Sequence, residues 1–129
     1  MSGFVSLVGA GCAPGLLTLL GEARLRECDA VVYDDLIDRE LLRMAGDARL
    51  IYMGKRAGRP SAGQEDICAE LIRLAREGKR VVRLKGGDPY IFGRGGEEMA
   101  ALAAAGVPCE AVPGVSSAYA IPELAGIPL

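Results

Sequence analysis

The chain has 129 residues, of which half are hydrophobic and a quarter are charged, with a net charge of −2. This length predicts one domain with a real hydrophobic core. No apolar run reaches the ~18 residues that a membrane span needs, and the start of the chain, MSGFVSLVGAG, lacks the regions of a signal peptide. With four widely spaced cysteines, no Cys-x-x-Cys pair and no histidine, the sequence predicts a cytoplasmic protein without a metal site or a membrane partner.

Short β-rich apolar runs alternate with helical patterns along the whole chain. The five predicted strands are 4–8, 30–33, 50–53, 80–84 and 109–112. The predicted helices are 16–26, 39–45, a segment between Ser61 and Gly78, 96–105 and 116–124. This alternation predicts an α/β fold, a parallel-rich five-stranded sheet with helices on both faces.

The glycine-rich and polar loops all follow predicted strands. In chain order they read GAGCAPG, DDLID, GKRAGRPSAG, KGGDPYIFGRGG and PGVSS. In parallel sheets, ligands bind beyond the carboxyl ends of the strands. The sequence therefore predicts a ligand site at that edge of the sheet.

The first of these loops resembles a dinucleotide-binding turn only superficially. The pattern Gly-x-Gly-x-x-Gly needs a glycine at position 14, where the chain has Pro14. Proline can begin a helix, so a tight turn from strand to helix is still expected. The loop is as consistent with a structural turn as with a ligand site.

Two charged groups in the next two loops are candidates for acid–base chemistry. Asp34, with Asp35 beside it, directly follows the second strand, where a carboxylate near a cleft can act as a base. The alternative is that one of them caps a turn or pairs with an arginine. Lys55, beside Arg56 and Arg59, can donate a proton or bind a carboxylate, or it can simply be solvated.

The most informative stretch is RLKGGDPYIFGRGGEE, residues 83–98. Gly86 and Gly87 remove side chains where the fourth strand ends, so a ligand can approach the main chain. Asp88 is held extended by the proline that follows it, and 90–92 supply an apolar wall. With Ser116 and Ser117 at a later helix start, which can receive an anion, these residues predict a cradle for a polar, partly flat small molecule. The alternative is an elaborate structural loop.

The charge is distributed unevenly. Residues 54–94 carry ten bases and five acids, whereas the rest of the chain is acidic. Such a segment can attract an anionic ligand without making the protein a nucleic-acid binder. The alternative is that several of these bases, such as Arg73, Arg76 and Lys79, lie on a solvated helix face.

Six segments, in order along nearly the whole chain, resemble the tetrapyrrole methylases: GAG…LLTL, VVYDDL, MGKRAG, RLKGGDPYIFGRGGEE, VPGVSS and AGIPL. The GGDPYIFGRGGEE block is highly specific and the others are moderately so. The resemblance implies that residues 1–129 are the N-terminal α/β domain of an enzyme about twice as long. Such enzymes place the active site between two domains and are usually homodimers.

The resemblance also implies an activity, methyl transfer from S-adenosylmethionine to two pyrrole carbons of uroporphyrinogen III. The product would be precorrin-2, on the route to sirohaem and cobalamin, with no metal required. Asp34 matches the family's proton acceptor and Lys55 its proton donor. The implied cofactor-binding residues are Cys12, Gly86, Gly87, Asp88, Ile91, Ser116 and Ser117. The substrate has eight carboxylates, and the arginines expected to bind them are Arg56, Arg59, Arg83 and Arg94.

The first loop departs from the family pattern. Relatives usually read Gly-Ala-Gly-Pro-Gly-Asp, whereas this chain has Cys12, Ala13 and Pro14 after Gly11, with one residue deleted. We therefore expect residues 1–129 alone to bind S-adenosylmethionine weakly. Two alternatives stay open: a non-catalytic module that binds an acidic ligand or a partner, and a methylase for a later corrin intermediate.

Overall fold

The computed structural model describes residues 3–54 and 63–128, and within them five strands form one parallel sheet. The spatial order is β3-β2-β4-β1-β5, so β4 and β1 occupy the centre with β1 between β4 and β5. The predicted parallel sheet of five strands is confirmed. The strands are β1 (Phe4–Gly9), β2 (Ala30–Tyr33), β3 (Arg49–Tyr52), β4 (Arg80–Lys85) and β5 (Cys109–Val112).

Helical segments connect the strands, and most lie where the sequence places them. Residues Arg39–Ala45, predicted as a short helix, form a 3₁₀ helix after the cap residue Asp38. The first helix begins at Leu19 rather than at residue 16, because the Thr18 hydroxyl accepts a hydrogen bond from the Gly21 amide at 3.0 Å and caps the helix there. The α-helices are α1 (Leu19–Glu27), α2 (Gln64–Arg76), α3 (Gly95–Ala104) and α4 (Ser117–Leu124).

The two faces of the sheet are covered by different helices. Alternate residues of β1 point to opposite faces, so Leu7 belongs to one hydrophobic cluster and Val8 to the other. Helices α2 and α3 cover the Leu7 face, and Leu71 and Leu102 are fully buried there. Helix α1 and the 3₁₀ helix cover the Val8 face. Helices on both faces, as predicted, leave the two edges where strands begin and end as the places for a ligand.

None of the helices in the described ranges is long and apolar enough to cross a lipid bilayer.

Candidate active site

The loops that follow β1, β4 and β5 meet main chain to main chain. Gly11 and Gly87 exchange two amide–carbonyl hydrogen bonds of 3.1 and 3.0 Å. A Cβ atom on Gly114 would lie 2.0 Å from the Gly87 carbonyl oxygen, and one on Gly9 would lie 2.6 Å from the same oxygen. Only glycine allows this approach, so the three loops form one rigid floor at the carboxyl edge of the sheet.

A cleft of about 960 Å³ opens above this floor. Every predicted site residue that the structure describes lines it, although these residues come from four separate segments of the chain. They are Cys12, Asp34, Arg83, Gly86, Gly87, Asp88, Ile91, Arg94, Ser116 and Ser117. The other three predicted residues, Lys55, Arg56 and Arg59, lie outside the described residues.

Asp88 holds two of the loops together. One carboxylate oxygen accepts the Gly114 amide at 3.1 Å, and the other accepts the Tyr90 amide at 2.9 Å. Each oxygen can accept another hydrogen bond. The Asp88 carboxylate is therefore fixed in place and still able to bind a hydroxyl or an ammonium group.

The two glycines before Asp88 serve different purposes. A Cβ on Gly86 would lie 2.5 Å from the Leu36 carbonyl oxygen, so this glycine is needed for packing against the loop after β2. Gly87 has a φ of +61°, and a Cβ there would meet nothing within 4 Å. The open main chain expected at both positions is therefore found at Gly87 alone.

Ile91 and Phe92 line the cleft as part of the predicted apolar wall, whereas Tyr90 is not among the lining residues, and the backbone of this loop is unexpected. Tyr90, Ile91 and Phe92 are exposed, and Phe92 is fully so. Phe92 and Arg94 adopt left-handed φ values of +55° and +56°, which are costly for residues with a Cβ. The loop therefore presents an aromatic ring and an arginine from a strained backbone.

The two serines at the start of α4 are not equivalent. The Ser116 hydroxyl is buried and accepts the Ala118 amide at 3.2 Å, so it caps the helix. Ser117 is exposed at the cleft and is the first residue of the helix. The positive end of the α4 dipole thus faces the cleft and favours an anionic group.

Asp34 makes both of the structural contacts that the sequence left open, since it closes a turn and pairs with an arginine. One oxygen accepts the Leu36 amide at 2.9 Å and closes a turn, and the other accepts from Arg83 Nη2 at 3.3 Å. Its side chain remains 22% exposed at the cleft. A carboxylate held beside a cation and open to the cleft can act as a base.

Behind Asp34 lies a buried charge cluster that the sequence reasoning missed. Glu98 of α3 is fully buried, and its Oε1 accepts from Arg83 Nε at 3.4 Å and from Lys85 Nζ at 2.8 Å. Its Oε2 has no hydrogen-bond partner among the described residues. Burial lowers the pKa of Lys85 from its usual 10.5, although the hydrogen bond to Glu98 opposes the shift.

A signal for this cluster exists in the sequence. Arg83 and Lys85 alternate with apolar residues in a central strand, so both must enter the same face of a covered sheet. Such charges require a buried counterion. The partner Glu98 could not be identified, because α3 places it through space and its neighbour Glu97 is also acidic.

Several of the described bases in the basic segment 54–94 are paired with carboxylates rather than free to act at the cleft. Arg73 forms ion pairs with glutamates of its own helical region. Arg83 and Lys85 are buried against carboxylates. Arg94 differs, since it is exposed, lines the cleft and makes no ion pair with any described residue. No three His, Cys, Asp or Glu side chains in residues 3–54 and 63–128 converge as a metal site.

Comparison with known proteins places this architecture in a family. Residues 5–129 match the family model for tetrapyrrole (corrin/porphyrin) methylases. The chain is 56% identical to the uroporphyrinogen-III C-methyltransferase of Methanocaldococcus jannaschii, over 100% of this chain and 54% of that protein.

Two solved structures from Thermus thermophilus are similar throughout the fold. A uroporphyrin-III-C-methyltransferase gives a TM-score of 0.88 at 46% identity, covering 100% of this chain and 55% of that chain. The same enzyme complexed with S-adenyl homocysteine gives 0.76 at 49% identity, covering 88% and 48% of the two chains. The chain thus spans about half the length of these relatives.

Proposed function

The chain belongs to the tetrapyrrole methylases, and we propose that its cleft binds S-adenosylmethionine for the C-methylation of uroporphyrinogen III to precorrin-2. In this proposal residues 1–129 form one half of the enzyme, and a second domain closes the cleft. The cofactor and substrate named for its relatives support the assignment. We further propose that the full-length protein is a cytoplasmic homodimer, as is usual in the family.

The observation that carries the proposal is the convergence of four separated segments on one cleft. Residues chosen from the sequence as cofactor-binding, substrate-binding or catalytic all line that cleft wherever the structure describes them. The parallel sheet brings its loops to one edge whatever their function, so the support lies in which side chains they bring to the cleft: Asp88 with acceptor capacity to spare, and exposed Ser117 and Arg94.

The residues at the rigid floor fit the proposed cofactor. Gly87 leaves open space above its main chain, and each Asp88 oxygen keeps capacity for a ribose hydroxyl or the cofactor's ammonium group. Ser117, at the start of α4, would face its carboxylate. When bound, S-adenosylmethionine supplies a methyl group on a sulfonium, which is electrophilic enough to react without a metal.

The groups around the cleft divide the remaining work. Holding the pyrrole carbon in line with the methyl group would lower the barrier, since alignment of two reactants can contribute ~7–11 kcal/mol. Asp34 would accept the proton that the methylated ring system releases, and Lys55 would donate one. Arg94, Arg56 and Arg59 would bind substrate carboxylates. Arg83 is 3% exposed and already paired, so we assign it to hold Asp34 rather than to contact substrate.

The altered first loop limits the isolated chain. Gly11 keeps its hydrogen bonds to Gly87, but Cys12, Ala13 and Pro14 replace the family's Pro-Gly-Asp. With one wall of the cleft also missing, we expect residues 1–129 alone to bind S-adenosylmethionine weakly and to turn over little. Isothermal calorimetry that shows micromolar affinity for residues 1–129 would contradict this expectation.

The test is to incubate the full-length protein with uroporphyrinogen III and methyl-labelled S-adenosylmethionine. We expect two methyl groups per tetrapyrrole, with product formation abolished by Asp34→Ala or Lys55→Ala. Asp47→Ala, an exposed aspartate away from the cleft, is the matched control and should retain activity.

Two other results would favour the remaining alternatives. Ligand binding with no methyl transfer to any tetrapyrrole, unchanged in Asp34→Ala, would indicate a non-catalytic binding module. Label transferred to a corrin intermediate but not to uroporphyrinogen III would indicate a later step.

A further inference from the structure

Three elements contribute charges to one buried cluster beneath the cleft. Glu98 comes from α3, Arg83 and Lys85 come from β4, and Asp34 comes from the loop after β2. Glu98 does not line the cleft, yet it bonds to two side chains that do, Arg83 and Lys85, and another nitrogen of Arg83 reaches Asp34. The two cations balance the two carboxylates.

This arrangement is not explained by stability alone. Burying an ion pair costs several kcal/mol per ion in desolvation, so a packed apolar core is often at least as stable. The desolvation of Glu98 is not fully compensated here, because its Oε2 is buried without a partner among the described residues. Such exceptions require an explanation, and the cluster lies directly beneath the proposed base.

The location of α3 adds a second connection to the site. The helix begins immediately after the loop that carries Phe92 and Arg94, and the Gly95 amide donates to the Pro89 carbonyl at 3.0 Å. Glu98 lies in the first turn of α3, where the helix dipole favours a carboxylate. The cofactor-side loop and the carboxylate behind the base are thus parts of one rigid segment.

We propose that Glu98 is a positioning residue that, through Arg83, orients the Asp34 carboxylate toward the cleft for proton transfer. The proposal rests on the proposed function of Asp34 as the base. Glu98 fixes the guanidinium from one side, so that its Nη2 remains available to the Asp34 oxygen that does not close the turn. Lys85 balances the remaining charge on Glu98.

The charged and titratable groups that face Glu98 determine how strongly its substitution affects folding. Lys85 and Arg83 face it from β4, and Cys68 of α2 is close enough for Glu98 to help raise the pKa of its thiol, after the larger effect of burial. Glu97, its neighbour on α3, is exposed. Because the pKa of Lys85 is already lowered, Lys85 can lose its proton when Glu98 is neutralised, which limits the damage to folding.

The experiment compares Glu98→Gln with Glu97→Gln in the full-length protein. We expect Glu98→Gln to lower kcat by on the order of 10-fold or more, the usual scale for supporting residues, with little change in the affinity for S-adenosylmethionine. Glu98→Asp should restore part of kcat, and Glu97→Gln should behave as wild type.

A direct observation of Asp34 separates this proposal from the proposed function. Carboxyl-¹³C NMR of aspartate-labelled protein, with Asp34→Asn to identify the resonance, measures Asp34 whatever substrate is methylated. We expect the Asp34 resonance at neutral pH to move and broaden in Glu98→Gln, because Arg83 no longer holds the carboxylate in one orientation, and to stay in place in Glu97→Gln. If wild type methylates no tetrapyrrole, the proposed function fails and this measurement alone decides the role of Glu98.

Two outcomes would overturn the proposal. One is an unchanged kcat and an unchanged Asp34 resonance in folded Glu98→Gln. The other is a loss of cofactor affinity and kcat together, equal in Glu98→Gln and Glu98→Asp, which would indicate a structural role. Should Glu98→Gln fail to fold, Lys85→Met/Glu98→Gln, which removes one charge of each sign, is scored by the same criteria together with Glu98→Asp.

Discussion

Two arginine–glutamate clusters lie on opposite faces of the sheet and differ in burial. On the α1 face, Arg24 pairs with Glu110, which also accepts from the Ser6 hydroxyl at 2.7 Å. Their side chains are 31% and 26% exposed, and both Glu110 oxygens have partners. On the α2–α3 face, Arg83 and Glu98 are 3% and 0% exposed, and one Glu98 oxygen has no partner among the described residues.

The difference in burial shows where this fold accepts the cost of desolvating charged groups. The Arg24 cluster remains in contact with water, so its charges are partly solvated and it contributes little either way. The Arg83 cluster removes three charges, those of Arg83, Lys85 and Glu98, from nearly all of their water beneath the proposed base. An arginine–glutamate pair therefore remains partly solvated on one face of the sheet, whereas on the other face a second such pair is buried beneath the proposed base.

Truncating Glu98 and Glu110 is the most severe test of the difference between the two clusters. Glu98→Ala leaves the buried cations Arg83 and Lys85 with Asp34 as the one remaining carboxylate of the cluster, and we expect a loss of about 3–5 kcal/mol in the free energy of unfolding. Glu110→Ala should cost much less, because water can replace the lost partner. Urea denaturation of both variants measures the two losses. Equal losses would show that burial does not distinguish the clusters.

Glycine substitutions test whether the loops at the carboxyl edge form a rigid floor above the buried charge cluster. Gly114→Ala places a Cβ 2.0 Å from the Gly87 carbonyl oxygen, so we expect a loss of about 1–3 kcal/mol in stability and weaker cofactor binding. Gly96→Ala, inside α3 with nothing within 4 Å of the added atom, should instead stabilise by about 0.4–1 kcal/mol. Thermal unfolding with and without S-adenosylhomocysteine distinguishes them, and a harmless Gly114→Ala would refute the rigid floor.

The pH dependence of stability sharpens the comparison on the buried side. Because the folded pKa of Lys85 lies below its usual 10.5, the unfolded chain binds more protons just below that pH, and stability contributed by this group rises as pH increases toward 10.5. Lys85→Met should remove that rise. Burial raises the pKa of Cys28 to about 11, which gives the opposite slope above pH 9. The measurement is therefore the difference between variant and wild type, and identical profiles would contradict the burial of a charged lysine.

The Arg24–Glu110 cluster should change the pH dependence of stability less than the buried cluster does. The direction should be that of a carboxylate paired with an arginine. Its hydrogen bond from Arg24 lowers the pKa of Glu110 below the usual 4.5. The stability it contributes is complete above pH 4.5 and is lost as pH falls through the lower folded value. Glu110→Gln should flatten this acid loss slightly in denaturant titrations between neutral and acidic pH. A steeper acid loss in the variant would reverse the assignment.

The strands and the cleft were predictable because both depend on local patterns. Apolar runs predicted the five strands to within one residue at each end, and glycine-rich or polar loops after each strand predicted the carboxyl edge as the site. Residue-level roles were harder. Gly86 looked like an opening for a ligand, whereas a carbonyl oxygen from the loop after β2 occupies that space.

Contacts between distant segments account for what the sequence did not indicate. Glu98 is separated from Lys85 by thirteen residues, and only the packing of α3 on the sheet brings them together. Arg83 looked like a substrate ligand because its burial and its two carboxylate partners depend on that packing. The start of α1 was misplaced because Thr18 captures the Gly21 amide, a cap that the apolar pattern before it conceals.

The central claim is that the carboxyl edge of the sheet is the methyl-donor site. A crystal structure of the full-length protein with S-adenosylhomocysteine tests it most directly. We predict the ligand against Gly87, Asp88 and Ile91, with its sulfur facing the side of the cleft that holds Asp34. A ligand bound instead at the opposite end of the strands, beside Ser6, Arg24 and Cys28, would contradict the claim.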